Sequence, residues 1–140
     1  MLSVNSYPKV YVDDCRSRIA VQAADYRALA KATAPHPTVA TALRSFEPHF
    51  FNSMVLALEG HFVHRARAPE MKDGNPLNEV RMLSNSLMSH GGILGADKAI
   101  KYNPEKSVLK IRIGDRIAVN DTDFTRLASA FLAEIAAKYP

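Results

Sequence analysis

The spacing of apolar residues changes twice along this chain, and that change is the strongest constraint on its fold. Up to about residue 90 apolar positions recur every three or four residues. After Gly95 they alternate, and after Asn120 they return to three and four. Side chains three or four apart share a helix face, whereas alternate side chains share a face of a strand. The pattern therefore predicts an α+β fold: four or five helices and a small C-terminal antiparallel sheet. Strands are expected near 99–102, 107–113 and 117–119, and a final helix near 121–138.

Within the alternating stretch, Ile100 and Tyr102 flank Lys101, and Asn103-Pro104 has the residues of a type I turn. Leu109, Ile111 and Ile113 alternate with Lys110 and Arg112 before Gly114-Asp115. A three-residue loop at Gly114–Arg116 would pair Ile113 with Ile117 and Ile111 with Val119. A two-residue loop would put Ile117 on the wrong face. The expected sheet thus has one aliphatic face and one basic face.

The helical stretches carry their own punctuation. Tyr7–Val12 is β-prone and reads as an edge strand or extended arm, with a helix starting at Asp13-Asp14 and ending before Pro35-His36-Pro37. From Thr38 to Arg67, Pro48 favours a break into two helices near 38–46 and 48–67, the alternative being one kinked helix. Phe51, Met54, Val55, Leu58 and Phe62 leave the second piece apolar on most sides. That predicts a central helix. Pro69–Gly74 reads as a loop. Asn75 is a good N-cap with Pro76 in the first turn, and His90-Gly91-Gly92 ends that helix.

At 140 residues, 47% hydrophobic and 23% charged, the chain fits one globular domain over 1–140, large enough to bury a core without staples. Cys15 is the single cysteine. It excludes an intramolecular disulfide and a Cys-rich zinc site, and it suits a reducing compartment. No apolar run approaches membrane-span length, and the N-terminus lacks the pattern of a signal peptide. The expectation is a cytoplasmic protein.

Net charge is +4, and it concentrates in one place. Residues 98–116 hold Lys98, Lys101, Lys106, Lys110, Arg112 and Arg116 against Glu105 and Asp115. Lys101, Lys106, Lys110, Arg112 and Arg116 form a basic surface suited to an acidic protein or a small anion. Tyr102 is its lone aromatic, too little stacking surface for single-stranded nucleic acid.

Two other constellations carry possible chemistry. Asn75 opens a helix whose first amides attract anions, and His64, Arg65 and Lys72 would add charge there. With Asn78 and Arg81 on the same helix, these six residues form the candidate ligand site. The other constellation is His61 and His64, three residues apart and on one side if the helix continues, with Glu59 or Glu79 near. It would support a small metal-dependent enzyme. The leading expectation is a non-catalytic binding module for an acidic partner or small anion. The abundance of Phe and Met around the long helix argues for a homodimer. No sequence feature specifies a cofactor.

Overall fold

The computed structural model describes residues 2–140 and contains five helices. They are α1 (Lys9–Thr33), α2 (Pro37–His61), α3 (Arg67–Glu70), α4 (Pro76–Ser89) and α5 (Asp121–Lys138). Helices α2 and α5 are central: each packs against α1, α4 and the other. No helix among the described residues is long and apolar enough to cross a membrane.

Helix α1 begins four residues earlier than the acidic pair suggests. Pro8 precedes it, and the Tyr7–Val12 stretch read as strand or arm is helical from Lys9 onward. Tertiary packing overrides β-propensity here. Val12, Cys15, Ile19, Ala23 and Tyr26 form one buried stripe. Lys9 reaches Asp13 at 2.7 Å across a single turn.

Helix α2 runs unbroken through Pro48. It is neither two helices nor a helix reaching Arg67. Phe51, Met54, Val55 and Leu58 on its second half are buried. Their burial at about 1.5–3 kcal/mol each outweighs a cost of about 3 kcal/mol for an internal proline. The helix stops at His61, and buried Phe62 opens the turn that leads to α3.

The C-terminal sheet does not form. The described residues contain two isolated bridges, Val4 with Arg65 and Ile93 with Arg116, and no strand. The fold is all-helical with one long irregular segment over residues 90–120, which corrects the α+β expectation. The alternation holds as a burial pattern at Ile117 and Val119, which like Ile100 are core residues, but not at Ile113, which is 47% exposed. The backbone polar groups, however, are satisfied by helix side chains instead of by a neighbouring strand. Glu79 on α4 accepts the amides of Val108 and Leu109 at 2.8 and 2.9 Å. The Asn52 side chain on α2 donates to the Ile117 carbonyl and accepts the Val119 amide, both at 3.0 Å. Residues 114–117 pair with 92–94, through Leu94 to Asp115 and Ile117 to Gly92. The 109–113 arm of the expected hairpin is thereby left without its partner, and Lys110 sits at φ 57°, off the strand conformation.

The turn at Asn103 is where the sequence places it, whereas the loop expected at Gly114–Arg116 is a turn over Arg112–Asp115. Asn103 accepts the Lys106 amide at 3.0 Å, and Gly114 takes a positive φ of 93° in the Arg112–Asp115 turn. Asn75 caps α4, its Oδ1 accepting from Leu77 and Asn78. Asn120 caps α5 by accepting from Asp123.

Candidate functional site

The corner between α2 and α4 is built around a carboxylate, Glu70, which the sequence pattern hides inside a loop. Glu70 is the last residue of α3. Its Oε1 accepts from Arg65 Nε at 2.9 Å and from an Arg81 terminal nitrogen at 2.6 Å. Its Oε2 accepts from Arg81 Nε and Asn78 Nδ2, both at 3.0 Å. Four donors on two oxygens nearly saturate the group.

Arg65 links this carboxylate to a second one. Its side chain is fully buried and also donates to Glu59 at 3.0 Å and to the Phe62 carbonyl at 3.0 Å. Its guanidinium carbon stands 5.6 Å from the centre of the Phe131 ring. Glu59 has this one close donor; Arg81 approaches it at 3.9 Å. The unequal coordination separates the two acids. Burial pushes the Glu59 carboxyl above its ordinary range despite Arg65 and Arg81. Burial acts on Glu70 too, but the hydrogen bonds and charges of Arg81 and Arg65 outweigh it and hold that carboxyl low. Arg65, Arg81, Glu59 and Glu70 together form a neutral quartet.

The backbone closes around the quartet. The Asn75 side-chain amide donates to the Glu70 carbonyl at 2.7 Å, and Asn78 Oδ1 accepts the Gly74 amide at 2.9 Å. Val4 bonds both sides of Arg65, to the His64 carbonyl and the Ala66 amide. Tyr139 Oη donates to the Ala66 carbonyl at 2.5 Å.

Of the six candidate ligand residues, the structure brings together Arg65, Asn75, Asn78 and Arg81, all committed to this internal network. The α4 amides offered to an anion at Leu77 and Asn78 are occupied by Asn75 Oδ1. Lys72 is exposed, and its carbonyl accepts the Lys101 amide, outside that network. His64 is exposed on the rim of a hollow of about 270 Å³, which Arg65, Arg67 and Arg81 also line.

Because α2 ends at His61, His64 lies in a turn and the helical-face argument does not apply to it. His61 Nδ1 is 2.7 Å from the Ala57 carbonyl. Glu59 and Glu79 are engaged as described above. Among the described residues, no group of three or more His, Cys, Asp or Glu is placed to hold a metal ion.

The basic segment keeps its charge on the surface. Lys98, Lys101, Lys106, Lys110, Arg112 and Arg116 are all exposed. Arg112 lies 3.7 Å from Glu105, both largely solvated. The other five enter no ion pair among the described residues. In and beside this segment Glu79 holds the Val108 and Leu109 amides, Asn52 holds the Ile117 carbonyl and Val119 amide, and the Tyr102 hydroxyl donates to the Ile111 carbonyl. Comparison with family models, curated proteins and solved structures gives no match.

Proposed function

We propose that this chain is a non-catalytic binding module whose 98–116 segment receives an acidic partner. The observation that carries the reading is the set of five exposed cations without ion-pair partners among the described residues. Among them, Lys110 and Arg116 adjoin backbone groups held by buried Glu79, at Val108 and Leu109, and by Asn52, at Ile117 and Val119. A pinned surface loses little conformational freedom on binding, and unpaired charge raises both encounter rate and discrimination. The homodimeric state and cytosolic setting belong to this reading.

Calorimetric titration with polyglutamate tests it, run at low and at moderate salt. The expected result is saturable binding that weakens as salt rises, because the Debye length shrinks toward about 8 Å at physiological ionic strength. The triple variant K101E/K106E/K110E should lose about tenfold or more in affinity. Binding of inorganic phosphate but not the polymer would move the reading to a small anion. Absence of either at low salt would overturn it.

A further inference from the structure

The outer face of the α1–α2 pair is unpartnered and carries a charge pattern that complements itself. Arg18, Val21, Gln22, Asp25 and Leu29 lie along one side of α1, because seven residues make two turns. Val21 and Leu29 are 59% and 50% exposed, and Phe46 on α2 is 50% exposed. Arg18 and Asp25 are exposed and form no ion pair among the described residues.

Two shallow hollows lie along this face and meet at Gln22. One, of about 480 Å³, is lined by Arg18, Val21 and Gln22 of α1 with Ala57 and His61 of α2. The other, of about 240 Å³, is lined by Gln22, Asp25 and Leu29 with Phe46 and Phe50. The first has small apolar residues and a cationic rim. The second has large apolar residues and an anionic rim.

We propose that this face docks a second copy of the chain, with the α1 helices antiparallel about a two-fold axis between residues 21 and 22. This rests on the homodimer reading above and supplies its surface. Such an axis puts residue 18 of each copy opposite residue 25 of the other, so two Arg18–Asp25 pairs form from one self-matching patch. Isologous interfaces require that kind of match. The same rotation exchanges the Arg18 and Asp25 ends, so the Phe46 hollow beside Asp25 in one copy faces the Ala57 hollow beside Arg18 in its partner, while Val21 meets Gln22 and Leu29 lies opposite residue 14. The core residues of α2 are already covered within the chain. The dimer therefore uses the residues that α2 and α1 leave outside: Phe46, Leu29 and Val21.

The area is adequate. A helix of α1's 25 residues is about 37 Å long, and two packed helices present a face about 20 Å wide. That gives roughly 700 Å² per copy, close to the roughly 800 Å² per partner of a standard specific interface.

Sedimentation equilibrium at micromolar concentration reads the result. The wild type should run at twice the monomer mass. Arg18→Asp alone places two carboxylates opposite each other at both pair positions, and Asp25→Arg alone places two cations there. Each variant should be monomeric with an unchanged circular dichroism spectrum. Mixed in equal amounts they should form heterodimers, since a copy with acids at both positions then faces a copy with cations at both. The double swap R18D/D25R should pair with itself. A monomeric wild type overturns both this surface and the homodimer reading. A dimer that survives both single variants overturns this surface and leaves the homodimer reading standing. Single variants that stay monomeric when mixed overturn the antiparallel register.

Discussion

Replacing Arg65 with Met is the sharpest test of what holds the α2–α4 corner together. Methionine fills a similar volume without charge. The substitution removes the one close donor to Glu59, at 3.0 Å, and one of four donors to Glu70. Glu70 keeps Arg81 and Asn78, so its loss is partial. Glu59 keeps Arg81 at 3.9 Å, too far for a hydrogen bond. The expected cost is that of one buried carboxylate stripped of its partner, about 3–5 kcal/mol. For a domain stable by about 5–15 kcal/mol this is a large fraction. Urea unfolding followed by far-ultraviolet circular dichroism measures it, as a fall in midpoint at constant slope. A companion variant separates the stranded charge from the lost packing. Adding Glu59→Gln to Arg65→Met removes that charge and should restore at least about half of the loss, because neutralising both members of a buried pair costs less than removing one. A loss below about 1 kcal/mol for Arg65→Met, within the range of an ordinary exposed ion pair, would refute the argument. So would a double variant no more stable than the single.

Three further outcomes follow from the same region. Asn75→Ala removes the cap on Leu77 and Asn78 together with the bond to the Glu70 carbonyl; it should cost about 1–2 kcal/mol by urea unfolding. Gly74 has φ +88°, and a Cβ there would stand 2.5 Å from the Lys101 carbonyl oxygen; Gly74→Ala should cost at least about 2 kcal/mol and broaden amide signals of residues 72–75 and 101. Burial raises the Glu79 carboxyl above its ordinary value against the pull of the Leu109 and Val108 amides. The folded state therefore binds this proton at a higher pH than the unfolded state, so this group makes stability rise as pH falls toward the ordinary carboxyl value of about 4.3. That rise should be smaller in Glu79→Gln, and an unchanged pH dependence would contradict it.

The helical elements were legible where packing and punctuation agree. Helix α4 carries an Asn cap, a first-turn proline and a terminal Gly pair, and α5 combines an Asn cap with a strong apolar stripe. Helix α1 was legible except at its start, because Val12 belongs equally to a β-prone run and to a helical stripe. Only the contact with the rest of the core decides between them. Pro48 misled for the opposite reason. A local penalty is visible in the sequence, while the burial of Phe51, Met54, Val55 and Leu58 that offsets it depends on three other helices.

The absent sheet shows what alternation does and does not encode. Alternate apolar residues state which side chains go inward. They do not state which group satisfies the intervening amides. In this chain a carboxylate from α4 and an amide side chain from α2 meet four of the backbone groups a partner strand would have met. Glu79 and Asn52 look like ordinary polar positions on their helices until the segment they hold is known. The candidate site was half legible by the same logic. The corner stood out for its density of Arg and Asn, and those residues do converge. Their target, Glu70, lay in a stretch that reads as loop, and it turns a surface expected to offer charge into a neutral interior. The charge that remains outside is on the cationic segment, where five of the six basic side chains enter no ion pair among the described residues.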